Sequence, residues 1–283
     1  MSRLGLRNKK TASNAKSEKS WAFTVGLVIS VVLIALIVIG FFWTPYDPTK
    51  MSAGEKLASP SLRHIFGTDK FGRDILSRVL NGAGTTLFIA VVTVMGSAFI
   101  GTVIGAVSAY HGGIIDEILM RISDAIASFP SILLALVLIS LLGSGKYKIM
   151  IALVVAFIPS FTRVMRGEFL RYKDAEFVRS AKLMGAKTPR ILTCHIFPLC
   201  VPVLLSSMTV GFNNAVLAEA SMSYLGLGVT PPDPSLGRML SEGQAYLTSA
   251  PWCVLGPGIF MILLILGIGL LGDGLSERMG GAA

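Results

Sequence analysis

The sequence predicts an all-α integral membrane protein with six transmembrane helices, and two observations carry that prediction. Of its 283 residues 53% are hydrophobic and only 14% charged, a composition far from that of soluble globular chains. Six apolar stretches also reach or approach the roughly 20 residues that a helix rising about 1.5 Å per residue needs to cross a hydrocarbon core. They lie near 21–43, 85–110, 119–143, 147–165, 196–218 and 251–272.

The first stretch follows Lys9, Lys10, Lys16 and Lys19, which resemble the charged start of a signal peptide. Its run from Trp21 to Trp43 is too long for a signal core, and Trp43-Thr44-Pro45-Tyr46 is no small-residue cleavage site. A retained anchor behind a cytoplasmic tail, 1–20, is expected. The loop 44–84 is expected on the extracytoplasmic side as a folded or interfacial segment, because Asp47, Glu55, Asp69 and Asp74 interleave with its cations.

Five further helices make a core over 85–272. The fourth span is the weakest, since its charge-free part, Ile149 to Thr162, is short and contains Pro159. A helix runs there if flanking lysines snorkel and neighbouring helices satisfy the backbone groups that the proline frees. A cytoplasmic coupling loop, 166–195, interrupts the core, and a cytoplasmic tail, 273–283, ends the chain.

Orientation follows from Lys and Arg in the loops. With the N-terminus inside, 16 of the 25 cations fall on the cytoplasmic side and 9 on the outer side, eight of the former between Arg163 and Arg190. The net charge of +9 needs no nucleic acid; loops beside anionic lipid account for it.

Several chemistries are excluded. Cys194, Cys200 and Cys253 show no CxxC spacing, and His64, His111 and His195 are far apart, so no metal or catalytic centre is expected. Gly143-Ser144-Gly145-Lys146 imitates a phosphate loop, but Ser140 stands where its first glycine belongs and Tyr147 follows the lysine. Ion-coupled transporters need ionisable groups at membrane depth, and these spans offer little: Asp124 inside the third, Glu219 at the outer end of the fifth, and the neutral pair Asn213 and Asn214. That pair lines a path or hydrogen-bonds a neighbouring helix. Uphill transport would then draw its energy from outside this chain.

The basic segment between Arg163 and Pro198 is where a soluble partner would meet it. Residues 174–184 suit a short helix with Asp174 as N-cap and Gly185 as its left-handed end. Phe177, Ala181 and Met184 or Gly185 recur along one side, away from Arg179 and Lys182, with small Ser180 and Ala181 at the middle. Thr188-Pro189 reads as cap and first residue of a second helix that enters the membrane. On periodicity alone, a docking helix and an interfacial helix lying on headgroups fit equally well.

Glu176-Phe177-Val178-Arg179-Ser180-Ala181-x3-Gly185, then Ile191 and Pro198, resembles the EAA loop of ABC importer permeases, with Arg179-Ser180-Ala181 in place of Glu-Ala-Ala. Phe66-Gly67-Thr68-Asp69-x2-Gly72-Arg73-Asp74-x2-Ser77-Arg78, Tyr224-Leu225-Gly226-Leu227-Gly228-x2-Pro231-Pro232 and Leu271-Gly272-Asp273-Gly274-Leu275 resemble the C-type permeases of the peptide and nickel importers. Gly84 stands where that family usually has Arg, and Leu236 where it has Trp.

The resemblance implies a type I ABC importer permease fold in a bacterial inner membrane, with both termini cytoplasmic. It implies a B-type permease partner, two cytoplasmic ATPases, an extracytoplasmic substrate-binding protein, and no cofactor on this chain, ATP and Mg being held by the partners. Glu176, Phe177, Arg179, Ser180, Ala181, Met184, Gly185, Ile191 and Pro198 become ATPase-coupling residues, and Asn213, Asn214, Glu219 and Tyr224 candidates for the translocation path. Di- or oligopeptides are the expected substrates, with nickel or a metal chelate as alternative; an ATP-independent channel or facilitator and a structural scaffold are the readings from other classes.

Overall fold

The computed structural model describes residues 2–280, with side chains at position 21 and from 23 to 275. Ten α-helices account for about three quarters of it, and the described residues contain no strand, only an isolated bridge between Thr68 and Asp74. The long helices are α1 (Ser2–Phe42), α2 (Ile75–His111), α5 (Lys146–Tyr172), α8 (Phe197–Tyr224) and α10 (Trp252–Gly280). Between them lie α3 (Gly113–Ala127), α4 (Ser131–Leu142), α6 (Glu176–Leu183), α7 (Thr188–Arg190) and α9 (Leu236–Gln244). Five helices are long and apolar enough to cross a membrane, and a sixth span forms if α3 and α4 count as one.

That third span differs from the sequence expectation of one helix over 119–143: α3 and α4 meet at 84° across residues 128–130. Pro130 supplies the reason. It has no N–H to bond back into α3 and disfavours helical backbone at Phe129, so the rod breaks and restarts at Ser131. Asp124, expected inside a span, instead sits near the bend and takes a 2.8 Å hydrogen bond from Arg163 Nη2 at an exposed position.

The other spans lie where expected but run longer. The weak fourth one is α5, helical through Pro159. The fifth begins at α7 and continues through a π-helical turn, Ile191–Ile196, into α8, one rod from Thr188 to Tyr224. The N-terminal tail and most of the C-terminal one prolong α1 and α10 as helix. Because α2 starts at Ile75, ten residues of the supposed outer loop belong to it; Asp74 caps it by accepting from Ser77 N–H at 2.8 Å.

Small residues set the packing. α2 lies against α5, and a Cβ on Gly101 would stand 2.6 Å from Phe161 Cβ, so only glycine permits that approach. Ile89, Ala90, Ala152, Leu153, Ala215 and Val216 are wholly buried where α2, α5 and α8 meet. Val28, Val31, Phe88 and Phe99 face outward, as lipid-facing side chains do. A second apolar cluster at the basic end joins Ala109, Met165, Phe169, Val178, Ala181, Ile191 and Ile196, and it seats α6.

Candidate functional site

The basic end is organised around α6. Its first cap position is Ala175, extended and without a side-chain bond, so the expected Asp174 cap does not form. At the other end Gly185 takes φ +82°, Gly185 N–H donates to Lys182 O and Ala186 N–H to Ala181 O, both at 3.0 Å. This is the paired closure that a left-handed glycine makes possible, and the sequence placed it correctly. Thr188, expected as a cap, opens α7, and its hydroxyl donates to Tyr110 Oη at 3.1 Å.

The expected apolar side of α6 is split. Val178 and Ala181, three residues apart, are buried against α5 and the π-helical turn, whereas Phe177 is 40% exposed, Leu183 90% and Met184 80%. Ala181 therefore packs inside this chain and is not available to another protein's groove. Ile191 is buried in the same cluster, while Glu176, Arg179, Ser180, Gly185 and Pro198 are exposed. What α6 offers outward is Phe177, Leu183 and Met184 among charged neighbours.

Polar contacts lock this end together. Arg166 on α5 grips Asp116 on α3 through Nε–Oδ1 and Nη2–Oδ2 bonds, each 2.6 Å, and the Ser108 hydroxyl on α2 donates to the same carboxylate. Lys173 Nζ donates to Ala109 O at 2.9 Å, and Lys182 Nζ lies 5.3 Å from the centre of the Tyr110 ring.

Toward the middle of the molecule, α4, α5 and α8 border an open cavity of about 610 Å³. Its wall is apolar, through Phe157, Phe161 and Val210, with neutral hydrogen-bonding groups from Ser160, Ser206 and Asn214 and no charged side chain.

Of the four path candidates only Asn214 reaches this cavity. Asn213 turns toward α10, where a Cβ on Gly269 would stand 3.2 Å from its Nδ2. Glu219 is wholly buried, accepting from the Thr86 hydroxyl at 3.0 Å and the Ser223 hydroxyl at 2.6 Å. These hydroxyls in turn accept from Leu236 N–H at 3.2 Å and Val229 N–H at 3.3 Å. Glu219 thus ties the segment after α8 to α2 instead of facing a path. Tyr224 donates its hydroxyl to Gln244 Oε1 on α9, and its carbonyl accepts from Ser241 at 3.0 Å.

Sequence reading missed the ionic cluster at the opposite end. Glu242 on α9 accepts from Arg73 Nη2 at 2.9 Å, Arg78 Nη2 at 3.2 Å and Arg238 Nε at 2.9 Å, and Arg73 Nε reaches Asp69 Oδ2 at 2.6 Å. Arg78 is 2% exposed; its burial is sustained by two carboxylates, as a buried cation requires. The signal in the sequence was the density of arginine and carboxylate in two outer segments, but only folding shows that they pair. Leu236, noted above for replacing a tryptophan, is fully buried beside Thr86, so that departure concerns packing rather than a substrate surface.

Residues 101–280 match a family described as the binding-protein-dependent transport system inner membrane component. The chain is 36% identical over 255 residues to a dipeptide transport system permease protein, DppC, of Alkalihalophilus pseudofirmus, covering 90% of this chain and 84% of that one. It is 36% identical over 255 residues to the oligopeptide permease OppC of Bacillus subtilis, with the same coverage. It is 39% identical over 259 residues to the glutathione permease GsiD of Escherichia coli, covering 90% and 86%. Among solved structures, an inward-facing form of the MetNI methionine ABC transporter superposes with a TM-score of 0.60 at 19% identity, over 71% of this chain and 96% of that one.

Proposed function

The chain belongs to the family of binding-protein-dependent transport system inner membrane components, and from that premise we propose that it forms half of the translocation path of an ATP-driven importer of di- or oligopeptides. It is a multi-pass inner-membrane transport subunit and not an enzyme. The observation that carries the peptide assignment is identity of 36–39% along 90% of the chain to permeases named for dipeptides, oligopeptides and glutathione.

The partners in this proposal are a homologous permease, two ATPases that hold ATP and Mg, and an extracytoplasmic binding protein. The basic end, with α6 and both termini, faces the cytoplasm, in line with the cation bias. Phe177, Leu183 and Met184 enter a groove of one ATPase, and Glu176, Arg179 and Ser180 line its rim.

The geometry supports a route for the coupling. Val178 and Ala181 hold α6 onto the helical bundle, and three residues beyond Gly185 begins the rod Thr188–Tyr224. Ser206 and Asn214, on that rod, border the cavity. A push on α6 is thereby delivered to a cavity wall without passing through a flexible loop. The wall itself suits a peptide of variable sequence: neutral hydrogen-bonding groups serve the peptide backbone, and the absence of charge there avoids holding any one side chain tightly.

Purification of the chain from its native membrane tests the assembly: co-purification of a second permease and a Walker-motif ATPase is expected, and a lone homo-oligomer overturns it. ATP-dependent uptake of a labelled dipeptide by the reconstituted complex tests the substrate; uptake of nickel or its chelate, with none of peptide, refutes that part.

A further inference from the structure

We propose that the turn Ser61–His64 with Ile65 is an anchor that inserts into the lipid interface at the end of the membrane opposite α6. Leu62 stands at the tip of this turn and is completely exposed, and Ile65 beside it is 59% exposed. The turn is not loose. Ser61 N–H donates to His64 O at 2.8 Å, His64 N–H donates to Ser61 Oγ at 3.2 Å, and His64 is itself buried with Nδ1 2.9 Å from Asp74 Oδ1. A leucine held rigidly outward cannot fold back to hide itself, so its apolar surface remains in water unless something outside the chain covers it.

The position of the turn identifies the cover. Trp21 and Phe42 stand roughly 32 Å apart along α1 at about 1.5 Å per residue, close to the roughly 30 Å thickness of a hydrocarbon core. Trp21 at one end, and Phe41, Phe42 and Trp43 at the other, are all more than half exposed, and aromatic belts of this kind mark the two interfaces. Tyr46, three residues past Trp43, is bonded directly to the turn: its hydroxyl donates to Arg63 O at 2.9 Å, and its ring centre lies 4.7 Å from that of His64. Tyr46 N–H donates to Ser77 Oγ at 3.1 Å, which fixes the same level against α2. The turn is therefore held just beyond the aromatic belt, at headgroup height.

Its chemistry fits that level. Leu62 and Ile65 supply apolar surface, and the exposed Arg63 between them makes no ion pair among the described residues, leaving its guanidinium for a lipid phosphate. The occupant is phospholipid, in an interface continuous with the one α1 already defines.

The test uses the assembled complex carrying Cys194→Ser, which removes the exposed native cysteine, and Leu62→Cys labelled with an environment-sensitive fluorophore. Proteoliposomes of phosphatidylethanolamine and phosphatidylglycerol contain lipids with a nitroxide either near the ester carbonyl or deep in the acyl chain. Quenching by the shallow nitroxide at least about twofold stronger than by the deep one, unchanged when binding protein is added, is the expected result. Full quenching by aqueous iodide with none by either lipid overturns the proposal, as does emission that shifts only when binding protein is added, or a label shielded from iodide and from both lipids, which would place it under the second permease. Leu62 packs against nothing, so the variant leaves the fold intact, and the readout is independent of which substrate the complex carries.

Discussion

Arg166 and Asp116 meet through two parallel hydrogen bonds of 2.6 Å, joining α5 to α3 at the basic end, with Ser108 of α2 as a third party. The pair is 31% and 20% exposed at its side chains. It therefore lies between the weak surface ion pair and the strong charge-assisted fork. Asp116→Asn should cost about 1–2 kcal/mol, since the anion is lost and a single amide oxygen is left to accept from the two guanidinium N–H groups. Thermal unfolding of the purified complex in detergent measures it. Exchange of the two residues, Asp116→Arg with Arg166→Asp, should recover part of the loss; equal melting of Asp116→Asn and parent would deny the pair any role in holding α3.

Substitutions on α6 should divide by face, not by chemical severity. Leu183→Glu and Met184→Glu alter side chains that are 90% and 80% exposed, and should leave membrane abundance unchanged while ATP-dependent uptake and ATPase co-purification fall at least about tenfold, as expected for hot-spot positions in a groove. Ala181→Glu places a carboxylate in the cluster of Met165, Phe169 and Ile191, and burial of an unpaired charge costs several kcal/mol. It should lower abundance itself, as a blot of membranes against the Leu183 variant will reveal.

The outcome for α6 illustrates what sequence made legible. The turn at Gly185 followed from local chemistry, because a left-handed helix end selects glycine whatever surrounds it. The direction of Ala181 did not follow, because a narrow ridge of small and apolar residues looks alike whether it faces a partner or its own bundle. Spans were legible for a comparable reason: hydrocarbon imposes length and apolarity on a helix regardless of its neighbours. The break at Pro130 is not encoded by the proline alone, because Pro159 lies within the continuous helix α5 whereas Pro130 ends one. Glu242, the Arg73–Arg78 cluster and Glu219 depend on contacts between residues more than a hundred positions apart, and no local pattern encodes those.

For Glu219 the prediction turns on hydroxyls that bridge it to backbone N–H groups. Glu219→Gln keeps an oxygen to accept one of the two hydroxyl bonds and should be mild. Glu219→Leu leaves the hydroxyls of Thr86 and Ser223 without that acceptor in a dry site, at about 1–3 kcal/mol for each orphaned group. The Leu variant should melt well below the Gln variant and expose the segment 225–235 to limited proteolysis. If both melt alike, Glu219 is not the tie between that segment and α2.

The sign of a glycine substitution should reverse between two positions in packed helices. Replacing an interior helical glycine by alanine ordinarily stabilises by about 1 kcal/mol, through lower backbone entropy in the unfolded chain. At Gly167, in α5, an added Cβ meets nothing within 4 Å, so Gly167→Ala should raise the melting temperature of the complex. At Gly101 the same Cβ would stand 2.6 Å from Phe161 Cβ and 2.9 Å from Thr162 N. Neither neighbour is the free end of a side chain, so α2 and α5 must separate, and overpacking of this kind costs about 1–3 kcal/mol. The cost exceeds the gain, and Gly101→Ala should melt lower than the parent, with Gly101→Val lower still. A Gly101→Ala protein as stable as Gly167→Ala would mean that the two helices do not approach as closely as the structure places them.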